Sequence, residues 1–167
     1  MRHRFHALMI LATGITILAP ATHADSVAAA RRAIQAIYDG QNAAAARRDV
    51  NGMLAHVSPD YVSFDTHGTR HTLDGERQAA RTVFATAPTY KGQTHIQTIT
   101  LAGKVATVQI KEHKAMIVIH RPTRQFAIVA YDTVGVDTWV RGRQGWLLTR
   151  SQTLSAHGTF NGHPVKD

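Results

Sequence analysis

The chain has 167 residues, 44% of them hydrophobic, and 19 basic against 11 acidic side chains give a formal net charge of +8. That size suits one domain with a single core, and the absence of cysteine excludes a disulfide framework and a lipid-acceptor thiol. The basic residues occur in scattered pairs (Arg31-Arg32, Arg47-Arg48, Arg121/Arg124, Arg141/Arg143) rather than along one element or among aromatics, which argues against a nucleic-acid partner.

The chain starts with the pattern of an export signal. Arg2 and Arg4 supply positive charge, Ala7 to Ala19 is apolar, and Pro20-Ala21-Thr22-His23-Ala24 is a small-residue exit. The apolar run is about 13 residues, short of the roughly 20 that span a bilayer as a helix, so no stable membrane insertion is expected. Cleavage is expected after Ala24, with Ala21 as the second candidate. Residues 1–24 are therefore read as a signal peptide, 25–157 as one domain and 158–167 as a tail, and the expected location is periplasmic or secreted.

Ser26 is suited to cap a first helix running to about Arg48, whose apolar positions Val27, Ala30, Ala33/Ile34, Ile37 and Tyr38 recur at helical spacing. Asp49 caps a short second helix with Met53, Leu54 and Val57 on its apolar side, and Ser58-Pro59-Asp60 is expected to end it. Tyr61 to Thr66 alternates as a strand, with Val62 and Phe64 as its core-facing set, and His67-Gly68 makes the turn. Thr72 caps a third helix, Leu73 to Ala87, with Asp74 and Glu76 in its first turn. From Tyr90 the pattern is strand and turn, with strands at about 92–101, 104–120, 125–141 and 146–156. Helices followed by a meander indicate an α+β fold with the helices on one face of the sheet.

A tight turn at Arg121–Arg124 would set Ile119 opposite Phe126, Ile117 opposite Ile128 and His113 opposite Asp132. Ala115 to Ile119 and Phe126 to Tyr131 are then apolar on both faces, where a half-exposed sheet alternates. The expected cover is a second copy of the chain, forming a homodimer through the convex sheet face. Burial by the first helix or the tail is the alternative.

The helix-helix-strand opening that ends in Asp65, and the closing pair Asp137-Thr138-Trp139 and Gly145-Trp146, resemble the nuclear transport factor 2-like superfamily (SnoaL-like, ketosteroid isomerase-like). The resemblance covers about residues 26–156 and implies a curved, mostly antiparallel sheet wrapped around N-terminal helices, a cone enclosing a pocket. Aligned without gaps from Asp49, the segment Asp60 to Gly68 looks like the one carrying the ketosteroid isomerase base, which falls on Asp65. Asp137 falls on that family's proton-donating acid. Such chemistry needs one carboxylate kept charged to remove a carbon-bound proton and a second kept neutral to hydrogen-bond the enolate. The tyrosine that completes the oxyanion hole is matched here by Gln41, with Tyr38 one turn earlier on the same helix face.

Asp65 and Asp137 are thus the candidate catalytic residues, and Tyr38, Gln41, Tyr61, Trp139 and Arg150 the candidate ligand-binding residues. Trp146, Leu148, Arg150 and Gln152 share a strand face by simple alternation, so Arg150 is placed to pair with Asp137 and keep it ionised. Each acid also has a structural reading: Asp65 precedes a His-Gly turn, and the resemblance implies that an aspartate ahead of the tryptophan, as at Asp137, also occurs in members without known catalysis; the two tryptophans likewise serve a core as well as a pocket wall. Asp65, His67 and His71 have the composition of a two-histidine, one-carboxylate metal site, but they span a turn, and no metal is assigned. No phosphate loop, nucleophile elbow or zinc motif occurs, and no cofactor is expected. The expected ligand is a small apolar or carbonyl-containing molecule. Binding without chemistry is the first reading, and a cofactor-free isomerase or lyase working next to a carbonyl is the alternative.

Overall fold

The computed structural model describes residues 23–120 and 125–165. In chain order the elements are α1 (His23–Ala46), α2 (Val50–Met53), β1 (Val57–Phe64), β2 (Arg70–Thr72), α3 (Leu73–Thr86), β3 (Thr89–Ala102), β4 (Val105–His120), β5 (Gln125–Gly142), β6 (Gly145–Phe160) and β7 (His163–Pro164). The seven strands form one mixed sheet in the order β2-β1-β6-β5-β4-β3, with β7 paired to β6. The β1–β6 contact is parallel and the others are antiparallel. This is the expected α+β architecture, an open curved sheet with the N-terminal helices on one face.

Helix α1 buries the stripe predicted by its spacing. Ala30, Ile34 and Tyr38 are 4%, 0% and 3% exposed, and they meet Val108 and Ile110 of β4, Trp139 of β5 and Trp146 and Leu148 of β6 in one core. Full burial of a side chain like Ile34 contributes about 1.5–3 kcal/mol. The helix starts at His23 rather than at Ser26, so Ser26 lies inside it and is not the first-turn cap. Its polar edge covers β3, the last strand of the sheet. The Gln35 amide donates to the Thr94 carbonyl at 2.7 Å and accepts from the Ile96 amide at 3.2 Å, and Arg31 donates to the Ile96 carbonyl. These bonds satisfy backbone groups next to the β3–β4 register shift at Ile96/Thr98 and close an edge that would otherwise be open for pairing.

Thr72 and Asp49 cap α3 and α2 as their positions suggested, accepting from the amides of Gly75 and Gly52. Three expectations need correction. β1 begins at Val57 and runs through Ser58-Pro59-Asp60. Proline is tolerated there because the β1–β6 register shifts between Val57 and Val62, leaving Pro59 outside the regular ladder. The buried set of β1 is Tyr61 and Ser63, at 8% exposed each, rather than Val62 and Phe64. Finally, the last long strand does not stop near residue 156: β6 continues to Phe160, and Asn161-Gly162 turns it back into β7.

The middle hairpin has the expected register, with Ile119↔Phe126, Ile117↔Ile128 and His113↔Asp132 paired. The His113 ring nitrogen and the Asp132 carboxylate lie 3.0 Å apart. The turn residues Arg121–Arg124 lie outside the described residues, as does the leader up to Thr22. Within the chain nothing described covers the tip of the hairpin: Ile119, Phe126 and Ile128 are 51%, 71% and 56% exposed.

Candidate functional site

Between the inner sheet face and the helices lies a cavity of about 450 Å³. Asp65, Asp137, Tyr38, Gln41 and Tyr61 all line it, so five of the sequence-selected residues converge on one concavity. The other two do not reach it. Trp139 is fully buried behind the wall, and its indole N–H donates to the Tyr38 hydroxyl at 2.9 Å. Arg150 is exposed, with its guanidinium stacked 4.6 Å from the centre of the Phe64 ring.

A β-bulge explains the position of Arg150. Leu148 pairs with Trp139, but the next partner pair is Arg150 with Thr138, leaving Thr149 as the extra residue. The extra residue inverts the alternation. Leu148 faces inward, Arg150 faces outward, and Ser151, paired with Asp137, becomes the inward residue. The neighbour of Asp137 is therefore a hydroxyl, not a guanidinium.

Asp137 is 3% exposed. The Tyr38 hydroxyl donates to one of its carboxylate oxygens at 2.6 Å and the Ser151 hydroxyl to the other at 2.6 Å. Burial raises the carboxyl pKa, the Ser151 and Tyr38 hydrogen bonds pull it back, and the result is about 6. The Tyr38 phenol is itself held far above its ordinary range, first by burial and then by the Asp137 charge. Its ring meets Trp139 edge-on, with centroids 5.3 Å apart and planes at 90°. Tyr61 is pushed up to about 12 by burial, against the pull of the adjacent Ser151 and Ser63 hydroxyls. Ser63 in turn donates to Glu76 of α3.

Asp65 has a different environment. One carboxylate oxygen accepts from the backbone amides of His67 (2.9 Å) and Thr69 (2.8 Å), wrapping the side chain around the Asp65–Thr69 turn in which Gly68 takes φ +80°. The other oxygen lies 3.6 Å from the His71 ring, on the same cavity wall. These bonds, that from the Thr69 amide foremost, hold the carboxyl down at about 2. A carboxylate so stabilised is a weak base.

A second polar cluster lies on the same wall, outside the residues singled out by sequence. Lys114 and Glu112 of β4 line the cavity and form an ion pair at 2.8 Å. Glu112 also accepts from the hydroxyls of Thr133 (3.1 Å) and Thr94 (3.2 Å), and Thr94 accepts from the Asn42 amide at 3.2 Å. Burial opposes the charge on each partner, but Lys114 and the hydroxyls hold the Glu112 carboxyl below its usual range, and Glu112 raises the Lys114 ammonium. A signal was present: Ala106, Val108 and Ile110 form the buried face of β4, and the same alternation carries into Glu112 and Lys114. Charge at inward positions marks a polar cavity wall. Among the described residues, no three histidine, aspartate or glutamate side chains gather closely enough to hold a metal ion.

Among solved structures, the chain is similar to a putative scytalone dehydratase from Novosphingobium aromaticivorans (TM-score 0.66, 14% identity, covering 80% of this chain and 89% of that one). The fold is nuclear transport factor 2-like. The same nuclear transport factor 2-like likeness extends to the hexachlorocyclohexane dehydrochlorinase LinA type 2 (TM-score 0.60, 14% identity, 83% of this chain and 90% of that one). It extends also to a conserved protein from Planctomyces limnophilus (TM-score 0.65, 14% identity, 78% and 95%). No family model and no curated protein matches the sequence. At such identities the likeness is one of fold, and this fold carries enzymes and other proteins alike.

Proposed function

We propose that the protein is an exported module that binds a small, largely apolar or carbonyl-containing molecule without transforming it. The observation that carries this reading is the saturation of Asp137. Both of its oxygens accept short hydrogen bonds from hydroxyl donors, an arrangement that suits a carboxylate at neutral pH and leaves no proton to give to a ligand oxygen. Asp65, tied into its turn with a pKa of about 2, lacks the basicity to take a carbon-bound proton. The two acids that would drive a ketosteroid isomerase-like reaction are thus spent on architecture, while the cavity between them remains open. Export rests on the leader pattern of Arg2 to Ala24. Native mass spectrometry of the purified mature protein should reveal a co-purifying small molecule, released when the cavity is blocked by Ala45→Trp. A clean apo mass from every preparation, together with no ligand response from a fragment library, would refute the reading.

The alternative is a cofactor-free isomerase or lyase, and one observation favours it: a pKa of about 6 puts Asp137, rather than Asp65, in the range useful to a general base at neutral pH. Two structural neighbours are described as a putative dehydratase and a dehydrochlorinase, which keeps elimination chemistry in view. Any turnover found should then survive Asp65→Asn and vanish in Asp137→Asn.

The proposed macromolecular partner is a second copy of the chain, joined through the outer sheet face at Ile119, Phe126 and Ile128, whose exposure on one hairpin is otherwise uncompensated. Size-exclusion chromatography with light scattering at micromolar concentration should give a dimer, and a monomer there rejects the interface.

A further inference from the structure

The Glu112–Lys114 pair has no part in the carboxylate chemistry considered above. A buried ion pair is often no more stabilising than apolar residues of the same volume, and β4 is apolar at the two preceding inward positions, Val108 and Ile110. The pair is set in the cavity wall rather than behind it. We propose that Lys114 is the ligand anchor of this cavity and that it reads a neutral oxygen acceptor, a carbonyl above all. This inference rests on the binding reading above and specifies what is bound.

Charge and remaining hydrogen-bonding capacity single out Lys114. Each acid of the wall has its donors: Asp137 has two hydroxyls, Asp65 two backbone amides, Glu112 an ammonium and two hydroxyls, and Glu76 the Ser63 hydroxyl. The Lys114 ammonium carries three N–H donors and, among the described residues, has Glu112 as its one hydrogen-bonded acceptor. Its remaining donors are the one source of charged N–H groups on the wall, since Lys114 is the one lysine or arginine among the described lining residues. A partly buried donor of this kind selects for a ligand that accepts and penalises the isostere that does not.

Charge then decides which acceptor. Glu112 at 2.8 Å neutralises Lys114 at close range, so the pair presents a dipole, not a free cation. Asp65, Glu76 and Asp137 line the same space. A carboxylate ligand would meet their repulsion without an uncompensated cation to offset it. A ketone oxygen takes the hydrogen bond and brings no charge. Tyr38, Tyr61 and Tyr90 supply aromatic wall for the rest of such a molecule.

Four probes of one shape separate the possibilities by isothermal titration calorimetry on the mature protein: 2-acetylnaphthalene, 2-ethylnaphthalene, 2-naphthoate and 2-naphthylmethylamine. The ketone should bind about tenfold more tightly than the hydrocarbon, the effect of one hydrogen bond to a charged donor at the low end of its range. The preference should disappear in Lys114→Met/Glu112→Gln, which removes both charges together and strands neither. Should that variant fail to fold, Lys114→Met, in which Glu112 keeps the Thr94 and Thr133 hydroxyls as donors, serves the same comparison. Equal binding of ketone and hydrocarbon overturns the inference, as does a preference that persists in the variants. Tightest binding by the amine also overturns it, since the carboxylates would then govern the cavity. Failure of all four probes to bind refutes the binding reading itself.

Discussion

Tyr38→Phe tests the centre of the site because it keeps the ring and removes one oxygen. The edge-on contact with Trp139, at 5.3 Å, should survive. Two hydrogen bonds are lost, the 2.6 Å donation to Asp137 and the 2.9 Å bond from the Trp139 N–H. Trp139 is 0% exposed and Asp137 3%, so water cannot easily replace the phenol at either. A bond to a charged acceptor contributes about 1.5–3 kcal/mol, and a buried donor left alone costs about 1–3 kcal/mol. At pH 8, where Asp137 is ionised, the loss should be about 3 kcal/mol. Without the phenol the Asp137 carboxyl should rise further above 6, because the Tyr38 hydrogen bond is one of the two interactions that pull it down. At pH 5 the variant therefore buries a neutral acid, and the loss should shrink to about 2 kcal/mol, mostly the Trp139 N–H. With a urea slope of about 2 kcal/mol/M, the unfolding midpoint should fall by about 1.5 M at pH 8 and by about 1 M at pH 5. An unchanged midpoint, or the same shift at both pH values, would refute the claim that Tyr38 holds an ionised buried carboxylate.

Three further outcomes follow from the same geometry. Asp137 has a folded pKa raised above its ordinary value of about 3.8 to about 6, so its stabilising contribution is complete below 3.8 and declines as pH rises through 6, by about 3 kcal/mol in all. Asp65 has a depressed folded pKa of about 2, so its contribution is present above 3.8 and is lost as pH falls toward 2. Thermal unfolding followed from pH 2 to pH 8 should show both slopes with a maximum near pH 4, Asp137→Asn should flatten the upper one, and an unaltered profile in that variant would count against the buried acid. Arg150→Ala should cost about 0.5–1 kcal/mol through its exposed stacking on Phe64 and leave ligand affinity unchanged in calorimetry; a tenfold affinity loss would put the guanidinium back in the site. Phe126→Lys/Ile128→Lys should convert the proposed dimer to a monomer in light scattering, and a dimer that persists would move the interface elsewhere.

The sequence revealed the parts of the fold whose signal is periodic. The α1 stripe through Ala30, Ile34 and Tyr38, the caps at Asp49 and Thr72 and the β4–β5 register can all be read from spacing or local chemistry, and the structure has each of them. What spacing could not show was where the period breaks. The extra residue at Thr149 exchanges Arg150 for Ser151 beside Asp137, and no residue type there announces a bulge. Pro59 reads as the end of a helix because proline usually stops regular structure, yet it is accommodated at a register shift of β1. On the same strand, Val62 and Phe64 look like a core pair by hydrophobicity. The inward face belongs to Tyr61 and Ser63 because the space they face is a cavity with polar partners. Hydrophobic patterning locates cores and misreads the walls of polar hollows.

That distinction also separates the roles of the two charged clusters. Around Asp137 every strong polar group is matched: two hydroxyls on the carboxylate and an indole N–H on the phenol, all within 3 Å and nearly dry. A fully satisfied buried network rigidifies its surroundings and gains little from a ligand. Around Lys114 the carboxylate is saturated while the ammonium is not. Both clusters sit on the inner sheet face, Asp137 opposite Val108 on β5 and Lys114 six residues further along β4. The Asp137 cluster ties α1 to β5 through Tyr38, whereas under the proposed binding role the Lys114 cluster keeps donors for a ligand. A ligand anchored at Lys114 would extend toward Asp137 across the tyrosine wall, since both residues line the same cavity.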